Sequence, residues 1–182
     1  MKDIGGATGI IERIHIIQGD ITTLTVDAIV NADNPTLSGT DGADGAIYKA
    51  AGIELVEECK KLNICCPGEA KITKGYQLPA KFVIHTVGPV YQSGDKGEAE
   101  ILYTCYSNTL SLAVESQIKT IAFPCISTGT CGYPFQEACK IAVNAVFDFL
   151  QSEQSLKVFF VCHSDSEYKL FYEAISNRVR VL

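Results

Sequence analysis

Short apolar runs, each closed by a polar or glycine-rich turn, recur along the whole chain. Ile14-His15-Ile16-Ile17 is the first; Gln18-Gly19-Asp20 ends it, and it reads as a buried strand. Asp27 to Val30 reads as a second, running into Asn31-Ala32-Asp33-Asn34-Pro35, where turn formers take over. Ala70 to Thr73, Lys81 to Val87, Lys119 to Phe123 and Val158 to Cys162 have the same character. Phe82 to Val87 is apolar enough to lie centrally before Gly88-Pro89 breaks it. Pro124 stops the strand after it.

Helical spacing fills the intervals. Ala46 to Ala51 predicts a short helix ended by Gly52. Ile53 to Lys61 predicts a second, with Leu55, Val56 and Cys59 on one side. Glu98 to Ser116 carries Ile101, Leu102, Cys105 and Leu112 at helical intervals. Phe135 to Leu150 and Ser166 to Ser176 complete the set, and Val179 to Leu182 reads as an edge strand or a frayed tail. Strands alternating with helices predict a three-layer α/β/α sandwich with a mixed, mostly parallel central sheet. No linker or repeat interrupts the pattern. One domain over residues 13–182 is therefore expected, after a flexible segment 1–12 that carries Gly5, Gly6 and Gly9.

Composition narrows the partners more than the fold. Of 182 residues, 47% are hydrophobic and 20% charged, which excludes a disordered tail, a collagen and a coiled coil. Fifteen basic against 21 acidic residues give −6. An acidic chain without a basic block is a poor nucleic-acid binder, so no direct nucleic-acid partner is expected. No run approaches the roughly 18 apolar residues of a membrane span, and no charged head precedes an apolar run at the start. A cytoplasmic protein without a membrane partner is the expectation. The eight cysteines form no CxxC pair. Along the sequence only His163, beside Cys162, is a histidine next to a thiol, so buried thiols are expected rather than a metal site, and no cofactor.

Ligands of open α/β sheets bind beyond the carboxyl ends of strands. Three loops follow predicted strands there: Gly19-Asp20-Ile21, Asn31 through Gly45, and Ser127 through Tyr133. The second holds Gly39, Gly42 and Gly45 and leads into a helix start, where N–H groups and the dipole favour a phosphate. The third offers Ser127, Thr128 and Gly129 after another strand. Two such loops suit a diphosphate, although neither matches a P-loop or a dinucleotide fingerprint, and both read equally as turns. Asp44 fits a helix N-cap, a solvated loop charge or a base. Asp20 fits a cap, and Asn34 beside Pro35 a turn former.

Several runs, in order, resemble the macro domain family. They are Gln18-Gly19-Asp20-Ile21-Thr22, Val26 to Pro35, Gly42-Ala43-Asp44-Gly45-Ala46-Ile47, Ala50-Ala51-Gly52, Leu78 to Lys81, His85 to Pro89 and Ala122 to Gly129. The chain is most similar to the branch that hydrolyses mono-ADP-ribosyl groups and deacetylates O-acetyl-ADP-ribose. The resemblance implies partners of that kind: ADP-ribose, an ADP-ribosylated protein, or O-acetyl-ADP-ribose. It implies that Asp20, with the Ile21 backbone alongside, receives the adenine amino group. Asn34 would hold the distal ribose, with Asn31 in the same motif. Gly42, Ala43 and Asp44 would line the ribose and diphosphate. Asp44 would activate or position water, making Asp44 and Asn34 the catalytic pair. Ser127, Thr128, Gly129, Thr130 and Cys131 would wrap the diphosphate, and His163 would lie near adenine.

The same comparison marks departures. Thr40 and Asp41 interrupt a run of glycines, and Asp33 replaces a small residue. Tyr48 replaces a histidine, Cys131 an aromatic against the distal ribose, and His163 an aromatic near adenine. Extra carboxylates near a diphosphate cost energy. Three readings follow: an Asp44-assisted hydrolase, a non-catalytic ADP-ribose-binding module, and a macro domain with altered ligand preference through Thr40, Asp41 and Cys131.

Overall fold

The computed structural model describes residues 9–39 and 42–180, residues 42–44 by their backbone alone. Six strands form one sheet: β1 (Ile14–Gln18), β2 (Ala28–Ala32), β3 (Ala70–Lys74), β4 (Phe82–Thr86), β5 (Thr120–Phe123) and β6 (Lys157–Cys162). Five helices connect them: α1 (Gly42–Ala51), α2 (Ile53–Cys59), α3 (Glu98–Glu115), α4 (Phe135–Ser152) and α5 (Asp165–Arg180). The strand order is β1-β6-β5-β2-β4-β3. Every neighbouring pair is parallel except β3 with β4.

Alternation along the strands builds two cores, because successive side chains face opposite sides of a sheet. Ala28 and Val30 of β2 pack with α3, α4 and α5, beside Phe123, Phe147, Phe160 and Phe171. Ile29 points the other way, into a smaller core with Ile47, Tyr48, Ala51 and Leu55 of α1 and α2. The architecture is thus a three-layer α/β/α sandwich with a mixed, mostly parallel sheet, as the alternation predicts. Asp27 ties three strand starts together. One carboxylate oxygen accepts from the Lys119 and Thr120 amides at 3.0 and 3.1 Å, and the other meets Lys81 Nζ at 2.7 Å.

Three boundaries differ from expectation. The glycine-rich stretch read as loop over 38–45 turns helical at Gly42, so Asp44 lies in the first turn of α1 and not at its N-cap. Tertiary packing overrides the low helix propensity of Gly42 and Gly45. α2 stops at Cys59, before Lys61. Residues 177–180 are neither edge strand nor tail: α5 runs to Arg180, and residues 181–182 lie outside the described residues. Its last turns are held by an Arg178–Asp148 ion pair of 2.8 Å, with the Arg178 guanidinium 5.9 Å from the Phe147 ring centre. Of the segment 1–12, residues 1–8 lie outside the described residues. Residues 9–11 form a helical turn with Ile10 buried.

Candidate functional site

β2 ends in a polar cluster that the sheet holds out of water. Asn31 and the Asp33 side chain are buried. Asp33 Oδ2 accepts hydrogen bonds from Asn31 Nδ2 at 3.0 Å and from the Tyr48 phenol at 2.8 Å, and lies 3.1 Å from His85 Nδ1. Asp33 Oδ1 accepts from the Asn34 amide at 2.8 Å. A buried carboxylate loses hydration worth several kcal/mol, roughly, and this number of donors offsets it. The far side of the His85 ring completes the chain: Nε2 lies 3.0 Å from Thr73 Oγ1 and 3.7 Å from Cys59 Sγ. Burial pushes the Tyr48 phenol far up, and Cys59 and Asp33 add to the shift. Tyr48 therefore remains a hydrogen-bond donor at any working pH.

Asn34 sits just outside this cluster, half-buried. Its Oδ1 accepts from the Thr36 amide at 3.0 Å and the Thr36 hydroxyl at 2.6 Å, and its Nδ2 donates to Ser38 Oγ at 3.0 Å. This is a side-chain-stabilised turn of the kind Asn favours. Leu37 and Gly39 follow with φ of 51° and 64°, both left-handed. A Cβ on Gly39 would lie 2.3 Å from Tyr48 Cδ2, so the backbone here packs directly on the Tyr48 ring. Thr40, Asp41 and the side chains of Ala43 and Asp44 lie outside the described residues, and with them the carboxylate of the expected base.

The loop after β5 forms the opposite wall. Ser127 has φ of 66°, and its buried hydroxyl has no hydrogen-bond partner among the described residues. The Ser127 carbonyl accepts from the Tyr133 amide and the Gly129 carbonyl from the Gly132 amide, each at 2.9 Å. The Thr128 hydroxyl donates to the Cys125 carbonyl at 2.9 Å. A second loop braces this one. The Tyr91 amide donates to the Cys131 carbonyl at 2.8 Å, and the Tyr91 and Tyr133 rings meet at 4.8 Å. Between the two walls lies a cleft of about 340 Å³. Asp33, Asn34, Gly88, Val90, Thr130 and Cys131 are among its lining. Larger, shallower hollows of about 610 and 600 Å³ flank α3, away from the carboxyl ends of β2 and β5.

A third group sits where β1 and β6 end. The Gly19 amide donates to the Cys162 carbonyl at 3.0 Å, which brings Asp20 and His163 to one corner. Asp20 caps the short turn Ile21–Thr23, with Oδ1 accepting from the Thr22 amide at 2.9 Å and hydroxyl at 2.7 Å. Those bonds hold the Asp20 carboxyl below its usual value, and the nearby His163 lowers it slightly further. The Ile21 side chain is spent in the smaller core, so only its backbone faces outward chemistry.

The structure thus brings Asn34, Thr130 and Cys131 to one cleft and Asp20 and His163 to one corner. Asn31 turns inward to Asp33. Sequence reading misses the link between Asp33, Tyr48, Thr73 and His85, which no spacing connects. The one signal was His85 itself, a ring that needs partners inside an apolar strand. Five of the eight thiols are buried, Cys125 and Cys131 are half-buried, and Cys66 is exposed. Among the described residues, no group of three or more His, Cys, Asp or Glu is arranged to hold a metal ion, and no helix is long and apolar enough to cross a membrane.

A mixed sheet between helical layers, with a cleft beyond the carboxyl ends of its central strands, is the frame of a ligand-binding α/β domain. The profile of the Macro domain family matches residues 30–142, and the chain belongs to that family. A macro domain-containing protein of Chlorobaculum tepidum is 55% identical over 164 residues, covering 90% of this chain and 95% of that protein. An O-acetyl-ADP-ribose deacetylase of Citrobacter rodentium is 47% identical over 171 residues, covering 91% and 97%. The Oceanobacillus iheyensis macrodomain, solved with ADP, superposes with a TM-score of 0.88 at 39% identity, covering 92% of each chain. A Trypanosoma brucei macrodomain solved in complex with ADP-ribose superposes at 0.86 and 41% identity, covering 92% of this chain and 71% of that one.

Proposed function

We propose that this chain binds ADP-ribose along the carboxyl edge of its sheet and hydrolyses an ester of it. The ester is the one linking ADP-ribose to an acidic side chain, or the acetyl ester of O-acetyl-ADP-ribose. The observation that carries this reading is the order of the three groups. The strand order β1-β6-β5-β2 sets Asp20 and His163 first, the Ser127–Cys131 loop next and Asn34 last. That sequence fits a ligand with a base at one end, a diphosphate in the middle and a ribose at the other. The relatives of Citrobacter rodentium and Trypanosoma brucei support it by what they are named for and hold.

In this reading Asp20 and the Ile21 backbone receive the adenine amino group, and His163 stacks nearby. Backbone amides of Ser127 to Cys131 hold the diphosphate, which suits an acidic chain because fixed amide dipoles replace lysines. Asn34 holds the distal ribose with Asn31 behind it, and Gly42 and Ala43 line the approach. Asp44, in the first turn of α1, takes a proton from water. The water oxygen bonds to the electrophilic carbon of the ester and the C–O bond breaks. The leaving oxygen takes up the proton that Asp44 removed from water, giving an acid and an alcohol and restoring the carboxylate. One positioned carboxylate supplies about 10²–10⁴-fold by this route. No step needs a metal or a bound cofactor, and the setting expected is cytoplasmic.

One observation favours a binding module without turnover: Cys131 lines the cleft opposite Asn34 and presents no ring there. The altered-ligand reading, which rests on Thr40, Asp41 and Cys131, gains nothing from Asp33, whose carboxylate is buried and hydrogen-bonded on both oxygens. Titration calorimetry with ADP-ribose, with AMP as control, tests the binding step. Heat with micromolar affinity or better supports the reading; no heat with ADP-ribose overturns it.

A further inference from the structure

Two residues that depart from the family pattern, Asp33 and Tyr48, are direct partners at 2.8 Å. Separately, each looks like a loss. Together they grip one six-residue segment at three points. Asp33 Oδ1 accepts the Asn34 amide at 2.8 Å at its start. The Tyr48 phenol shares its proton with the Leu37 carbonyl at 2.7 Å. The face of the Tyr48 ring carries Gly39 at its end. His85 and Thr73 anchor the pair to β4 and β3.

The grip has work to do. Leu37 holds a left-handed φ of 51°, which crowds the Cβ of an L-residue against its own backbone. Such a residue persists only where its surroundings over-determine it. Here the carbonyl of that same residue is what Tyr48 holds. The segment runs from Asn34, in the cleft, to Gly39 on the Tyr48 ring.

We propose that Asp33 and Tyr48 act as one buried positioning unit that sets the 34–39 turn, and through it the affinity for the distal-ribose end of the ligand. This rests on the ADP-ribose reading above for its ligand and not for its structural half. The Asp33 and Tyr48 side chains are buried, so each acts on the ligand through Asn34 and the turn. A unit of this kind has a signature. Removing either partner releases the same segment, so the second removal adds little.

The test uses the full chain as wild type, Tyr48→Phe, Asp33→Asn and the double variant. Tyr48→Phe keeps the ring under Gly39 and removes only the hydroxyl, so it is the variant least prone to misfolding. Amide hydrogen exchange over residues 34–39 is read without ligand, and affinities for ADP-ribose and ADP are read by calorimetry. Each single variant is expected to speed exchange in 34–39 and to weaken ADP-ribose about tenfold, the scale of one well-made hydrogen bond to a charged group. ADP, which lacks the distal ribose, should bind all four proteins alike. The double variant should match the worse single. Multiplying effects, equal losses for ADP and ADP-ribose, or unchanged exchange would each overturn the proposal. If wild type binds no ADP-ribose, the functional reading fails, and the exchange data alone decide the unit. Faster exchange in both singles without addition in the double supports it, and any other pattern overturns it.

Discussion

Gly88 and Ser127 stand so close that a Cβ on Gly88 would lie 2.0 Å from Ser127 Oγ and 2.7 Å from Ile126 Cγ2. The backbone following β4 is thus pressed against the loop following β5, and both walls of the cleft depend on that approach. Gly88→Ala must displace Ser127, whose left-handed φ already limits where it can go. The expected cost is about 1–3 kcal/mol, seen as a lower denaturation midpoint. ADP-ribose affinity should fall with it, while Gly9→Ala, where a Cβ meets nothing within 4 Å, should leave both unchanged. Unchanged affinity in Gly88→Ala would separate this contact from the ligand site.

Glu98 gives the fold a defined acid sensitivity. Burial raises its carboxyl pKa, but backbone amides outweigh that, its own and those of Lys96, Gln92 and Ser93, and hold it down to about 2. The bonds run from 2.6 Å at Lys96 to 3.3 Å at Ser93 and close the loop that bears Tyr91. A depressed folded pKa means the unfolded chain binds the proton first. The stability this group adds is complete above the unfolded value near 4.5 and is lost as pH falls toward about 2. Denaturation followed between pH 5 and 2 should therefore steepen in wild type and be flatter in Glu98→Gln. Identical slopes would remove Glu98 from the acid response.

Phe171 is the buried anchor of α5, stacked on Phe160 at 4.5 Å between ring centres and edge-on to Phe135 at 5.9 Å. Truncating such a ring leaves a cavity that the sheet cannot close. Phe171→Ala should cost about 3–5 kcal/mol in chemical denaturation, whereas Tyr172→Ala, at an exposed neighbour, should stay within roughly 0.5 kcal/mol.

Most of the fold was legible because each strand is an apolar run with a chain-breaking end, such as Phe82–Thr86 before Gly88-Pro89. Two short-range signals misled. Glycine at 42 and 45 argued for loop, yet packing carries α1 through both. Val179 to Leu182 read as an edge strand or a frayed tail, yet α5 continues to Arg180, with Arg178 paired to Asp148, far away in sequence. The site divides in the same way. Asn34 read locally as a turn former and the 127–131 loop equally as a turn or a phosphate cradle; only the resemblance to the family singled them out. The Asp33–Tyr48–His85 cluster was not legible, because it joins β2, α1 and β4 through contacts that exist only once the sheet has formed.

Cys131 and Cys66 offer an internal comparison of site and surface. Cys131 lines the cleft on the wall opposite Asn34; Cys66 is exposed at the far hollow near Glu69 and Lys71. A maleimide should label both, Cys66 faster because it is more open. ADP-ribose should slow labelling of Cys131 and leave Cys66 unchanged, as read by peptide mass. Equal protection of both, or of neither at saturating ligand, would place the ligand elsewhere.

Asp44 separates enzyme from binder. In the first turn of α1 its charge is favoured by the helix dipole, so Asp44→Ala is expected to cost only about 0.3–1 kcal/mol of stability. Its effect on turnover should be far larger. If Asp44 is the base, release of acetate from O-acetyl-ADP-ribose should fall about 10²–10⁴-fold. ADP-ribose affinity should change little, because removing a carboxylate beside a diphosphate relieves repulsion even as it loses a contact. A fall in kcat with KM nearly constant marks an interaction made in the transition state. Equal turnover in wild type and Asp44→Ala would move the base elsewhere. Binding by wild type without turnover would leave the chain a reader of ADP-ribose, with Cys131 the first position to change, to Tyr, in an attempt to restore hydrolysis.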